Sequence, residues 1–311
     1  MTAAATRLRR LGRTDVEVSP LSIGTAALGG LYAHVDEHEA AAVVRRALSA
    51  GLRYLDTAPQ YGHGTAERRV GAALAGVPRD AYALSTKVGR RIVERAGADT
   101  GIFADAPPSD AVFDFSRDGV LRSLEASLER LGLDRVDVVY LHDPDDHEAQ
   151  ARDEAYPALE ELRAQGVVRA IGAGMNQTAM LERFVRETDV DVVLVAGRYT
   201  LLDRSAAAGL LPACAERGVA VVVGGVYNSG VLASGATYDY APAEPALLAR
   251  VARLAERCRA YDVPLKAAAL QFPLRHPAVT CVLSGARSVA ELDENIALLA
   301  HPVPDALWEE L

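Results

Sequence analysis

Cysteine is scarce in this 311-residue chain, and the three that occur, Cys214, Cys258 and Cys281, stand far apart with no Cys-x-x-Cys pair. An odd number at that spacing excludes a disulfide framework and a thiolate zinc site, and it fits a reducing cytoplasm. Aromatic residues make up only 5% of the sequence, with a single Trp. Few side chains are therefore available to stack on a large substrate, which favours a small polar one. Long apolar runs are missing too. The longest, Val219 to Val226, falls far short of the roughly 18 residues a membrane helix needs, and no signal-peptide core opens the chain. Positive charge is in deficit: 33 Lys and Arg stand against 42 Asp and Glu, a formal net charge of −9. No nucleic acid is expected as a partner, because phosphate backbones are held by basic patches, and the cluster Arg7, Arg9, Arg10 and Arg13 is short and interrupted. There is no Gly-x-Gly-x-x-Gly turn of a doubly wound dinucleotide-binding sheet and no Gly-x-Ser-x-Gly elbow of a serine hydrolase. These absences leave a cytoplasmic protein with a small-molecule job, or a scaffold; a monomer or small homo-oligomer is expected.

What is present is a regular alternation. Half of the residues are hydrophobic and 24% are charged, enough apolar surface to offset the entropy of ordering a globular chain. Eight short β-branched runs recur: 21–25, 53–57, 81–87, 137–142, 167–176, 191–199, 219–225 and 279–284. Between them lie helical patterns at 36–50, 66–75, 117–131, 156–165, 178–188 and 290–299, several closed by Gly51, Gly76, Gly132, Gly166 or Gly218. Strands alternating with helices imply parallel pairing through right-handed crossovers. Eight such units in about 300 residues predict an α/β fold, a (β/α)8 TIM barrel occupying residues 1–311 as one domain. An N-terminal hairpin within 7–20 is expected to plug the barrel bottom. Long loops at 90–116 and 228–245 follow strands and so belong to the catalytic face.

Charged residues close three of the strands: Asp56 in Tyr54-Leu55-Asp56, Lys87 in Ser85-Thr86-Lys87 and His142 in Val139-Tyr140-Leu141-His142. In a barrel these ends converge on one mouth, where such charges are satisfied as pairs. Tyr61, five residues after Asp56, is placed to reach back over the same mouth. A neighbouring Lys87 ammonium is expected to lower its phenol pKa and make it a general acid/base. The run His142-Asp143-Pro144-Asp145-Asp146-His147 reads as a site histidine followed by a solvated acidic turn, and no metal site is expected. Phe103, Phe113 and Tyr199 are candidates for substrate walls, and Trp308 is expected to pack in a final short helix.

Asp56-x4-Tyr61 with Lys87 and His142 resembles the catalytic tetrad of the aldo-keto reductase superfamily. The motifs Asp-Thr-Ala-x-x-Tyr-Gly, Ser-Thr-Lys-Val-Gly, Asp-Val-Val-Tyr-Leu-His-Asp and Gly-Ala-Arg-(x)6-Glu-Asn stand in family order across nearly the whole chain. The resemblance implies a nicotinamide dinucleotide bound without a Rossmann motif. It implies Tyr61 as proton donor or acceptor, Lys87 tuning it, Asp56 holding Lys87, and His142 orienting the substrate oxygen. It also implies Asn176 at the nicotinamide carboxamide, Gly224 in a slot where relatives carry a stacking aromatic, and Glu294 and Asn295 at the adenine. With Gly224 there, Tyr199 or Tyr227 is left to cover the ring. Ser284, Gly285 and Arg287 form the turn into the helix at 290–299, a natural anion site. Ser288-x-x-Glu291 also reads as a capping box. Glu291 stands where many NADP-preferring relatives carry Arg, so NAD is the expected cofactor, with NADP the alternative. Within the superfamily the chain resembles bacterial aldose dehydrogenases of the L-fucose, D-threo-aldose, L-galactose and pyridoxal type. That implies oxidation of an anomeric hydroxyl to a lactone; pyridoxal oxidation, NADPH-dependent carbonyl reduction and a non-catalytic nucleotide-sensing role are the alternatives.

Overall fold

All eight β-branched runs form strands in the computed structural model, which describes residues 7–233 and 235–311. They are β1 (Leu21–Gly24), β2 (Tyr54–Asp56), β3 (Ala83–Val88), β4 (Val138–His142), β5 (Ala170–Met175), β6 (Val192–Ala196), β7 (Ala220–Gly224) and β8 (Val279–Ser284). Each pairs in parallel with its sequence neighbours, and β8 returns to β1 through Val282–Leu21 and Ser284–Ile23, closing the barrel. Both faces of every strand are covered, which explains the near-continuous apolar runs.

The helices follow the apolar periodicity: α1 (Glu37–Ser49), α2 (Thr65–Leu74), α3 (Arg117–Leu131), α4 (Tyr156–Ala164) and α5 (Thr178–Glu187). In α3 the Ser116 hydroxyl accepts from the Gly119 N–H, and Val120, Leu124 and Leu131 are buried. Each such burial contributes on the order of 2 kcal/mol. Three further helices, α6 (Leu210–Arg217), α7 (Pro245–Ala260) and α8 (Leu265–Gln271), were not separated by the sequence pattern. The chain ends in α9 (Val289–Ala300) and α10 (Asp305–Glu310). Trp308 packs at the core edge in α10, under the Arg275 guanidinium.

Strand parity sorts the core into two clusters. Leu55, Leu84, Val88, Val139 and Leu141 face the helices. Tyr54, Ala83, Val138, Tyr140, Val192, Val222 and Leu283 fill the barrel interior, together with Leu11, Val16 and Val18. Those last three belong to the predicted hairpin, Arg9–Arg10 against Glu17–Val18, which plugs the N-terminal end. The two long loops are more ordered than expected. Arg90–Glu94 pairs antiparallel with Ser109–Phe113, and Thr237–Tyr238 with Ala241–Pro242. In the first ribbon most residues are half-buried or exposed, so no clean apolar alternation marked it in the sequence.

Candidate active site

The same parity that buries Tyr54 and Tyr140 turns the next inward positions, Asp56, Lys87 and His142, toward the C-terminal mouth. Lys87 donates from Nζ to Asp56 Oδ2 at 2.7 Å, to the Thr57 carbonyl at 2.9 Å and to the Tyr61 hydroxyl oxygen at 3.0 Å. The His142 ring stands edge-on to the Tyr61 ring with centroids 5.9 Å apart. Beneath them a hydrogen-bonded layer anchors the acid: Ser85 donates to Asp56 Oδ1 at 2.7 Å, Tyr54 donates to Ser85 Oγ at 2.8 Å, and the Tyr54 and Tyr140 hydroxyls lie 3.0 Å apart. All four groups named from the sequence therefore meet at one mouth. The supporting layer was invisible in the sequence, because Ser85, Tyr54 and Tyr140 read there as ordinary strand residues.

Tyr61 sits on a loop rather than a strand, and two glycines fix it. A Cβ on Gly62, at φ +60°, would stand 2.2 Å from the Gly29 carbonyl oxygen, and one on Gly29 would meet the Tyr61 carbonyl carbon at 2.7 Å. Only backbone without side chains on both segments allows so close an approach.

Electrostatics separate the roles. Burial works against the Lys87 ammonium, but Asp56 and Tyr61 outweigh it and hold its pKa above the usual lysine value, so it stays charged. Tyr61 departs from expectation: burial outweighs the lowering effect of Lys87, and its pKa is pushed up to about 12. The sequence placed the cation correctly but carried no measure of how far protein surrounds the phenol. Burial, then Lys87 and Arg90, hold the His142 pKa well below normal, so its imidazole is neutral at neutral pH.

A cavity of about 500 Å³ opens over this group. Its walls include Leu31, Ile102, Phe103, Phe113, Met175, Leu194 and Tyr240, with Gln60, Arg90, Asp143 and Asn176 among the polar groups. Phe103 and Phe113 thus stand where the sequence put them. Tyr199 does not: it packs against Phe272 and His276, with ring centroids 5.2 and 5.7 Å away, and is absent from the cavity wall. Asp143 also departs from the solvated turn that was expected, because it is ion-paired with Arg90 at 2.6 Å and faces the cavity. Arg90 and Asp143 were missed as site residues; the signal was their position, each just beyond a strand that ends at the mouth.

The residues expected to hold a dinucleotide lie along one side of the same mouth. Asn176 follows β5 on the cavity wall, and Ser284, the last residue of β8, has its hydroxyl oxygen buried without a hydrogen-bond partner. A Cβ on Gly224 would meet Leu194 Cδ2 at 3.5 Å and Ala196 Cβ at 4.0 Å, so no strand aromatic stands there. Tyr227 donates its hydroxyl to Asn295 Oδ1 at 3.0 Å, while Asn295 Nδ2 reaches the Gly285 carbonyl at 3.4 Å. Glu294 pairs with Lys266 at 2.6 Å. Only half of the capping box forms. Ser288 Oγ accepts from the Glu291 N–H, but the Glu291 carboxylate accepts instead from the Arg287 N–H and guanidinium, each at 2.8 Å. An unpartnered buried hydroxyl, a Gly turn and a free-standing Asn at a strand end are a donor set that fits a nicotinamide dinucleotide.

Comparison with known proteins agrees. The sequence profile of the Aldo/keto reductase family matches residues 20–311. The D-threo-aldose 1-dehydrogenase of a Pseudomonas species is 44% identical, over 94% of this chain and 93% of its own. The pyridoxal 4-dehydrogenase of Microbacterium luteolum is 41% identical, over 99% and 97%. Among solved structures, the aldo-keto reductase AKR11C1 of Bacillus halodurans in its holo form superposes with a TM-score of 0.78 at 28% identity, covering 97% of this chain and 94% of its own. With the barrel, the convergent Asp56, Lys87, Tyr61 and His142, and these relatives together, the chain belongs to the aldo/keto reductase family and is an NAD(P)-dependent oxidoreductase.

Proposed function

We propose that the enzyme oxidises the anomeric hydroxyl of a small aldose to the lactone, with NAD⁺ preferred over NADP⁺. The carrying observation is the buried line Asp56–Lys87–Tyr61, which ends in a phenol at the cavity beside a neutral His142. Tyr61 accepts the proton of the anomeric hydroxyl as the phenolate. Burial holds its pKa up at about 12, so that form is a small fraction near neutral pH and oxidation is expected to speed up as pH rises. Lys87, held in place by Asp56 and the Thr57 carbonyl, stabilises the phenolate that does so. Neutral His142 hydrogen-bonds the same substrate oxygen and sets its angle. When bound, a nicotinamide supplies the two-electron acceptor; Asn176, Ser284, Gly285 and Asn295, with Gly224 leaving room, are the residues that would hold the dinucleotide.

The cofactor preference rests on Glu291. Its carboxylate already takes the Arg287 N–H and guanidinium, the donors a 2′-phosphate would require, and it repels a dianion there. Glu39 adds a second carboxylate by accepting from the Val289 N–H at 2.7 Å. The test is initial-rate nicotinamide reduction with NAD⁺ and NADP⁺ on L-fucose, D-arabinose, L-galactose, L-xylose, D-glucose and pyridoxal. Turnover of one or two sugars with NAD⁺ is expected. Pyridoxal as the sole substrate would move the reading to the second relative, and silence with aldehyde reduction by NADPH would make the enzyme a reductase. Glu291→Arg should shift selectivity toward NADP⁺, and unchanged selectivity would sink the cofactor assignment.

A further inference from the structure

We propose that Asp143 and Arg90 form the hydroxyl-reading edge of the pocket and restrict it to substrates with free hydroxyls beside the reacting carbon; this rests on the aldose reading above. Asp143 follows His142 directly and adopts φ +43°, a left-handed conformation that a non-glycine residue takes at a cost. Its N–H donates to the Gly174 carbonyl at 3.0 Å, and the resulting turn brings its carboxylate back over the mouth, with Oδ2 3.7 Å from His142 Nε2. Arg90, immediately after the Gly89 that closes β3, donates from Nη2 to Asp143 Oδ2 at 2.6 Å, and its guanidinium lies over the Phe113 ring at 4.5 Å.

The pair is half used. Among the described residues Asp143 Oδ1 accepts no hydrogen bond, and Arg90 commits only Nη2 to an acceptor, leaving Nη1 uncommitted. The wall also carries Gln60, Asp145, Asp146, Asn176 and Gln177, but the incompletely occupied ion pair is the polar group that reaches His142, so it is where orientation is decided. A carboxylate offers lone pairs to two hydroxyl donors, and a guanidinium gives N–H groups to hydroxyl or ring oxygens. Adjacent hydroxyls on a small ring match both. A carbonyl compound without hydroxyls leaves the pair's free positions dry and unpartnered, the situation in which polar sites discriminate most strongly.

The experiment compares kcat/KM for the best aldose with NAD⁺ and for butanal with NADH, in wild type, Asp143→Ala and Arg90→Met, all as the full chain. The aldose-to-butanal ratio is expected to fall about 10- to 100-fold in either variant, chiefly through the KM of the aldose. Asp143→Asn, which keeps the shape and one acceptor, should recover part of it. Matching 2-deoxy and 2-hydroxy sugars should be distinguished by wild type and less so by Asp143→Ala. A ratio constant across the variants while wild type oxidises aldoses overturns this inference alone. A wild type that reduces butanal but oxidises no aldose overturns it together with the proposed function.

Discussion

The two ends of the barrel handle charge in opposite ways. At the N-terminal end, acids standing just before two strands are each held by a backbone N–H of the preceding strand and by at least one guanidinium. Asp137 accepts from the Leu84 N–H at 2.9 Å, from Arg79 at 2.6 Å and from Arg169 at 2.9 Å. Asp191 accepts from the Ile171 N–H at 3.0 Å and from Arg163 at 2.8 Å. Each acid bolts one strand to its neighbour and to a helix or loop outside. At the C-terminal end, Asp56 and Lys87 are equally buried, but the network stops at the cavity, and Gln60 Oε1, His142 Nδ1 and Ser284 Oγ have no partners. Among the described residues the N-terminal end has one comparable orphan, Arg79 Nε. One fold therefore spends its buried charge on stability at one end and keeps hydrogen-bonding capacity in reserve at the other, which is the division expected when chemistry is confined to one face.

The sharpest way to break this comparison is Tyr61→Phe. Loss of the proton acceptor should cut aldose turnover by roughly 10²–10⁴-fold while leaving dinucleotide affinity, read by equilibrium titration, and thermal stability near wild type. Retained turnover would remove Tyr61 from the chemistry. Next in size is Asp137→Ala at the other end. Removing an acid shared by two arginines and a backbone N–H should cost about 3 kcal/mol and lower Tm by roughly 5 °C, while kcat per folded molecule persists. A large fall in kcat with intact stability would erase the contrast between the ends.

A third test uses alkali. Burial raises the phenol pKa of Tyr54 and Tyr140 well above normal and that of Tyr61 to about 12. Folded-state values above the unfolded value of about 10 mean that these groups contribute stability that is complete below pH 10 and is lost as pH rises toward their folded values. Tm should therefore drop steeply above pH 10, and Tyr54→Phe should flatten part of that slope; an identical slope would show that Tyr54 titrates freely. The smallest effect is reserved for Tyr199→Leu. Because Tyr199 packs on Phe272 and His276 outside the cavity, aldose KM should move less than about twofold, and a larger shift would return it to the pocket wall.

Much of this was legible before any coordinates. The barrel followed from eight apolar runs, and the reacting group from charged residues that close apolar strands, since a charge at the end of a buried run needs a reason. The plug hairpin was readable from its turn, Gly12-Arg13-Thr14-Asp15, although nothing in the sequence said that Leu11, Val16 and Val18 would fill the barrel interior. What escaped depends on distances the chain order hides. The Tyr61 phenol was expected to be acidified by Lys87, yet enclosure proved the larger influence. Asp143 looked like surface because its neighbours Asp145 and Asp146 are polar, and its pairing with Arg90 spans 53 positions. Tyr199 was chosen as an aromatic near a strand end, but beyond Ala196 the chain turns away from the mouth. The approach of Gly29 to Gly62 leaves no residue pattern apart from the two glycines themselves.

The seam between β8 and β1 carries a consequence for how the molecule is made. Val282 and Ser284 zip onto Leu21 and Ile23, so the ring is joined by residues from opposite ends of the chain. During synthesis the first strand emerges long before its last partner exists, and until then the growing sheet presents two unpaired edges to any other chain nearby. Ring closure also carries the entropy of gathering the longest loop in the molecule, which makes it a slow, late event. Chains truncated before β8 are therefore expected to associate edge to edge rather than persist as soluble seven-stranded remnants.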